Sequence, residues 1–285
     1  MTVWRGRYDG PMRNRRHYDV ELAARGASLA YRVDEGVPFC WMCNAKSGER
    51  AKEHTFALSL LAELGATSES FSPTHMSSIG SVVSARRQMP SKALLAGEVC
   101  KDCNAGWMSD LEMAARPLLV AGARGETDRE LGRAEQLTLA RWFFKTAIVL
   151  NCSQNYRLLL PWNVRHSAKT GLHPDVRVLV ARRPFNPKDQ VDFRQGFSGL
   201  TALVPTDKAQ ELAMALERIY AGWIGVADWW GLVIYAVPGG WPEPGVDFRQ
   251  IWPYRREFDW ADLPLCRDLD EAFLLQGEPT HLTNW

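Results

Sequence analysis

Four cysteines stand in two pairs of identical spacing, Cys40-Trp41-Met42-Cys43 and Cys100-Lys101-Asp102-Cys103. A CxxC pair on a tight turn aims both sulfurs at one point, and two such pairs make up the ligand set of a closed tetrahedral zinc site. Zinc on Cys40, Cys43, Cys100 and Cys103 would hold two remote stretches of chain side by side. A redox CxxC normally occurs once, at a helix N-terminus after a strand, whereas here the motif is doubled. Buried free cysteines are the plain alternative, but they rarely fall twice at one spacing. Between the pairs stands a Glu53-His54 step, and the second pair runs straight into Asn104. These residue types suit phosphodiester hydrolysis, which needs an activated water, a cation to neutralise the phosphate and help for the leaving oxygen. The imidazole of His54 can take a proton from water near neutral pH. The carboxylate of Glu53 and the amide oxygen of Asn104 are hard ligands for a catalytic Mg2+ or Mn2+, with water and substrate phosphate completing the shell. Asn104 adjoins Cys103 and Glu53 follows shortly after Cys43, so the structural zinc would bring the two halves of a catalytic site together.

Through CWMC, KEH and VCKDCNAGWMSDLE the chain resembles the HNH endonucleases of the ββα-metal type, in their zinc-stapled branch. The resemblance covers about residues 38–117. It implies that Glu53 is a metal ligand, His54 the general base and Asn104 the second metal ligand, the three forming the catalytic set. ARWFFKTAIVL and IWPYRREFDW are similar to parts of proteins that share this front end. Two departures stand out. The family's middle Asn, which braces the loop carrying the histidine, has no counterpart between Thr55 and Val99, leaving His75 or Gln88 to substitute. The stretch from His54 to Cys100 is also longer than usual, and Ala57 stands where a Pro is common.

Net charge is +1, so no whole-molecule attraction to nucleic acid follows. Local charge says more. Arg13, Arg15 and Arg16 lie in a basic N-terminal arm, and Arg86, Arg87 and Lys92 fall between the cysteine pairs. Such clustering favours a phosphate-bearing partner, nucleic acid and DNA in the first instance, although solvated arginines are the ordinary alternative. Residues 1–10 hold no apolar stretch, which argues against a secretory signal and for a cytoplasmic, reducing setting where thiols bind metal. The apolar run from Tyr220 to Gly240 is about long enough to span a bilayer, yet Gly222, Gly225, Asp228 and Gly231 interrupt it. Two buried strands joined near Asp228 fit better than a membrane span.

The expected fold class is α+β: a zinc-bound ββα-metal (HNH-like) N-terminal domain over 1–120, a helical connector over 121–152, and an α+β, Trp-rich C-terminal domain over 153–285. Ser109-x-x-Glu112 and Thr127-x-x-Glu130 have the form of capping boxes. The second precedes a helix with Leu137, Ala140, Phe144, Ala147 and Ile148 on one face, a packing spine between front and back. Strands are expected at Tyr156–Leu160, Val176–Ala181 and Gly199–Val204, and a helix at Thr206–Arg218. Trp223, Trp229, Trp230, Trp241, Trp252 and Trp260 are expected to pack in the core more than to stack on bases. Cys152 and Cys266 are expected in the core too. Three functions are compatible with this pattern: a nuclease whose C-terminal domain selects a target, a second copy or a protein partner; a non-catalytic zinc module that binds nucleic acid; and a zinc-stabilised interaction scaffold.

Overall fold

The computed structural model describes residues 40–43, 45, 49–71, 74–76, 82–85, 89–90, 92, 95–121, 124, 126, 128–153, 160, 162–184, 190–196, 219–236, 243–244, 248–267 and 275–276. In chain order its elements are β1 (Arg50–His54), α1 (Leu58–Glu63), β2 (Ser70–Phe71), β3 (Thr74–Met76), β4 (Val82–Ala85), β5 (Met89–Pro90) and β6 (Leu95–Cys100). There follow α2 (Lys101–Cys103), a π-helical turn (Asn104–Met108), α3 (Ser109–Ala121), β7 (Glu130–Leu131), α4 (Arg133–Ser153) and α5 (Trp162–Ser167). The later part holds β8 (Val176–Arg182), β9 (Val191–Gly196), β10 (Ile219–Val226), β11 (Trp229–Ala236), β12 (Glu243–Pro244), β13 (Arg249–Trp252), β14 (Phe258–Asp259) and β15 (Leu275–Gln276). The class is therefore α+β.

A seven-stranded sheet in the order β13-β8-β11-β10-β9-β3-β4 forms the back of the molecule. Its pairings are antiparallel except β3 with β9, which run parallel. Strands β10 and β11 are apolar on both faces because both faces are buried. Alternate side chains divide between two clusters: Tyr220, Ile224, Val226, Trp229 and Val233 join the main core, while Ala221, Trp223, Trp230, Leu232 and Ile234 pack with Leu179 and Cys266 behind the sheet. Asp228 stands in the turn between the two strands, as the interrupted apolar run implies. No helix among the described residues is long and apolar enough to cross a membrane.

Helix α4 packs on the front of that sheet, against β8, β10, β11 and β13, and its other side meets β6 and α3. From Trp142 to Asn151 it is buried all round, so an apolar stripe widens here into an apolar girdle. Trp223, Trp229, Trp230 and Trp260 are buried, as expected of core residues, and Cys266 is too. Trp241, the basic arm with Arg13, Arg15 and Arg16, residues Arg86 and Arg87, the expected strand at 199–204, the helix at 206–218 and all but Leu160 of the strand at 156–160 lie outside the described residues.

Both capping boxes are corrected. Ser109 has helical backbone angles (φ −63°, ψ −42°) inside a helical run that already begins at Lys101, so it caps nothing. Glu112 instead reaches across to α4. Glu130 lies in a strand, and the amide of Gly132 donates to the Glu135 carboxylate at 3.1 Å. The acid that closes the first turn of α4 is therefore one turn further on.

Candidate metal centre

Residues 40–43 form a tight turn, closed by the Cys40 amide donating to the Ala45 carbonyl at 3.0 Å. The second pair sits where β6 becomes a helix. Cys100 has an extended backbone and caps the helix start, its sulfur accepting from the Cys103 amide at 3.4 Å. The Cys100 amide in turn donates to Cys40 Sγ at 3.3 Å. All four Sγ atoms lie within 4.8 Å of one another, and Cys43 Sγ and Cys100 Sγ are 3.8 Å apart. Zinc–sulfur bonds of about 2.3 Å in a regular tetrahedron require sulfurs about 3.8 Å apart, so the set fits a zinc ion. All four cysteines are free thiols.

Electrostatics favour a cation at this point. Without a metal the four sulfurs must share protons. The Cys103 thiol, followed by the amides of Cys100, Cys43 and Met42, pulls Cys40 down to about 5 against the effect of burial. Donating to Cys40 holds the Cys103 thiol far above its ordinary value, and burial pushes Cys43 up to about 11. Cys43 and Cys103 thus hold their protons beside Cys40 when no ion is bound. A divalent ion replaces those protons and lets all four ligate.

Strand β1 pairs antiparallel with β6, with Arg50 opposite Cys100, Glu53 opposite Ala96 and His54 opposite Leu95. A bulge between Ala51 and Glu53 shifts the register ahead of the acidic step. The partner of His54 is the main chain: Nδ1 lies 3.1 Å from the Lys92 carbonyl. A carbonyl only accepts, so Nδ1 donates, and in the neutral ring the lone pair then sits on Nε2. That is the tautomer a general base needs. Lys92 itself is exposed. His75 lies in β3, with its side chain outside the described residues, as is Gln88.

Asn104 opens the π-helical turn directly after Cys103, and Gly106 breaks the helical geometry within that turn (φ −94°, ψ −119°). Such turns recur at functional sites. Glu53 is buried and faces α4, where Lys145 Nζ lies 3.6 Å from its Oε1. Lys145 also pairs closely with Glu112 of α3, whose other oxygen accepts from Trp142 Nε1 at 2.9 Å. Burial raises the Glu53 carboxyl above its ordinary value and Glu112 adds to this, with Lys145 opposing. Burial would lower Lys145, but the two carboxylates prevail and hold its ammonium above the usual lysine range.

Sequence reasoning missed Lys145, Glu112 and the Lys92 carbonyl. A signal for the first was present: a lysine inside Phe143-Phe144-Lys145-Thr146-Ala147-Ile148 interrupts a buried stripe, and a buried ammonium needs an anion. Compared with family models, curated proteins and solved structures, the chain gives no match. Function therefore rests on the chemistry of this site.

Proposed function

We propose that the chain is a metal-dependent HNH-type endonuclease that hydrolyses phosphodiester bonds of nucleic acid, DNA in the first instance. The observation that carries this is the hydrogen bond from His54 Nδ1 to the Lys92 carbonyl, which leaves Nε2 as a base at the end of β1. The pairing of β1 with β6, and the passage of β6 through the cysteine cluster into the helical run that carries Asn104, support this reading, because the ββα-metal type has a hairpin followed by a helix. Cys40, Cys43, Cys100 and Cys103 would hold a structural zinc. Glu53 and Asn104 would hold a catalytic Mg2+ or Mn2+, which when bound neutralises the phosphate and the leaving oxygen.

His54 Nε2 takes a proton from water as the water oxygen attacks phosphorus. The bond from phosphorus to the leaving sugar oxygen then breaks, and that oxygen takes a proton from solvent. Lys92, exposed beside the histidine, supplies a cation for the flanking phosphate. Plasmid nicking with Mg2+ or Mn2+ tests the reading. His54→Ala should lower the rate at least 100-fold, in line with the worth of a general base, at unchanged zinc content. Cleavage that survives in this variant, or a wild type inert with every divalent ion, would overturn it.

One observation favours a second reading, a non-catalytic zinc module that binds nucleic acid: the Glu53 carboxylate already has a cation beside it in Lys145. That module would bind DNA or RNA with steep salt dependence and cut neither.

A further inference from the structure

Three charged groups from three elements meet behind the candidate active site: Glu53 of β1, Glu112 of α3 and Lys145 of α4. The Lys145 side chain has no exposure at all, and those of Glu53 and Glu112 have 8% and 13%. The lysine is shared unequally. Glu112 takes it closely and is itself fixed through its second oxygen by Trp142 Nε1, whereas Glu53 stands 3.6 Å from Nζ, beyond a good hydrogen bond. Two carboxylates and one ammonium leave one net negative charge, and Glu53 is the member of the trio on the strand that ends in His54. A buried ammonium beside a carboxylate competes with any other cation for it.

We infer that Lys145 is a positioning residue that competes with the catalytic divalent ion for Glu53, and that Glu112 restrains it by holding the ammonium on α3's side. The Glu112–Lys145 pair thereby sets how strongly Glu53 attracts a metal. The inference rests on Glu53 being a cation ligand, as in the proposed nuclease. Net charge around Glu53 orders the variants. Lys145→Met leaves two carboxylates with no ammonium and should bind the metal more tightly. Glu112→Gln turns the lysine wholly toward Glu53 and should bind it more weakly. The double variant restores one net negative charge and should return close to wild type. A unit charge within about 6 Å of a divalent ion changes affinity about tenfold even at water-like screening, so each single step should reach that size.

The experiment is titration of Mn2+ alone into zinc-loaded protein, with free Mn2+ read by electron paramagnetic resonance, at pH 8 and constant salt. Zinc content and circular dichroism check each variant. About tenfold tighter binding in Lys145→Met, about tenfold weaker in Glu112→Gln and recovery in the double variant support the inference. Unchanged or weaker binding in a folded Lys145→Met overturns it; should that variant not fold, failure of the double variant to recover the affinity lost in Glu112→Gln overturns it equally. A wild type that takes up no Mn2+, or a Glu53→Gln variant that binds as wild type does, removes instead the underlying reading of Glu53 as ligand.

Discussion

Asp228 lies in the turn between β10 and β11 with one carboxylate oxygen buried and lacking a hydrogen-bond partner. Burial raises its carboxyl to about 6, only partly opposed by its own amide and by Arg182. The folded protein thus holds this proton more tightly than the unfolded chain does. Stability from this group is complete below pH 4 and is lost as pH rises through about 6. Asp228→Asn should remove the loss, adding about 2–3 kcal/mol at pH 8 and nothing near pH 4 by the usual conversion of pKa into free energy. Urea melts of both proteins at the two pH values check this, and an equal difference at both would refute it. The same scale shows what was legible. The four cysteines stand out in the sequence because type and spacing carry their chemistry, and the fold brings them together. The partners of Glu53 and His54 do not stand out, because Lys145 is 92 positions away and the Lys92 carbonyl has no side-chain identity.

Among the elements, β8, β10 and β11 fall where runs of β-branched and aromatic residues imply them, and α4 follows its apolar periodicity. The capping boxes misled because a four-residue pattern is local, whereas the helical run carrying Ser109 starts at Lys101, capped by Cys100 of the cysteine cluster. Gly231 was legible only as an interruption of an apolar run. In the fold it lets β11 lie against α4: a Cβ at this position would stand 2.2 Å from Phe143 Cδ1, and that ring is buried with no exposure. Phe143 also packs tilted against Trp229, at 6.5 Å between ring centroids, so it has little room to yield. Gly231→Ala should cost about 2–3 kcal/mol by overpacking, visible as a lower urea midpoint at unchanged slope. A combined Gly231→Ala and Phe143→Leu protein should recover part of that loss, because the clash is with the ring.

At the scale of the whole molecule, the long stretch between His54 and Cys100 acquires a reason. It supplies β3 and β4 to the edge of the large sheet, where Thr74 pairs with Arg194. A parallel pairing over so long a separation leaves no local trace in a sequence. The front hairpin differs from the sheet it is tied to. Strands β1 and β6 form a two-stranded ladder, too little to persist unaided, and the cysteine cluster closes one end of it. The turn that carries Cys40 is also held from the back, where the Arg165 guanidinium of α5 stacks 3.9 Å from the Trp41 ring centroid. If zinc is the staple, a chelator should act on the molecule unevenly. Without the ion Cys43 and Cys103 regain protons and the cluster no longer draws the two loops together, so β1, β6 and the Cys100–Cys103 turn should exchange their amide hydrogens at least tenfold faster. The amides of β8, β10 and β11, paired on both sides within the seven-stranded sheet, should keep their protection. Hydrogen exchange with and without chelator distinguishes this from its opposite. Uniform loss over the whole sheet would mean that the cluster anchors the entire fold, and no change anywhere would mean that the four cysteines hold nothing.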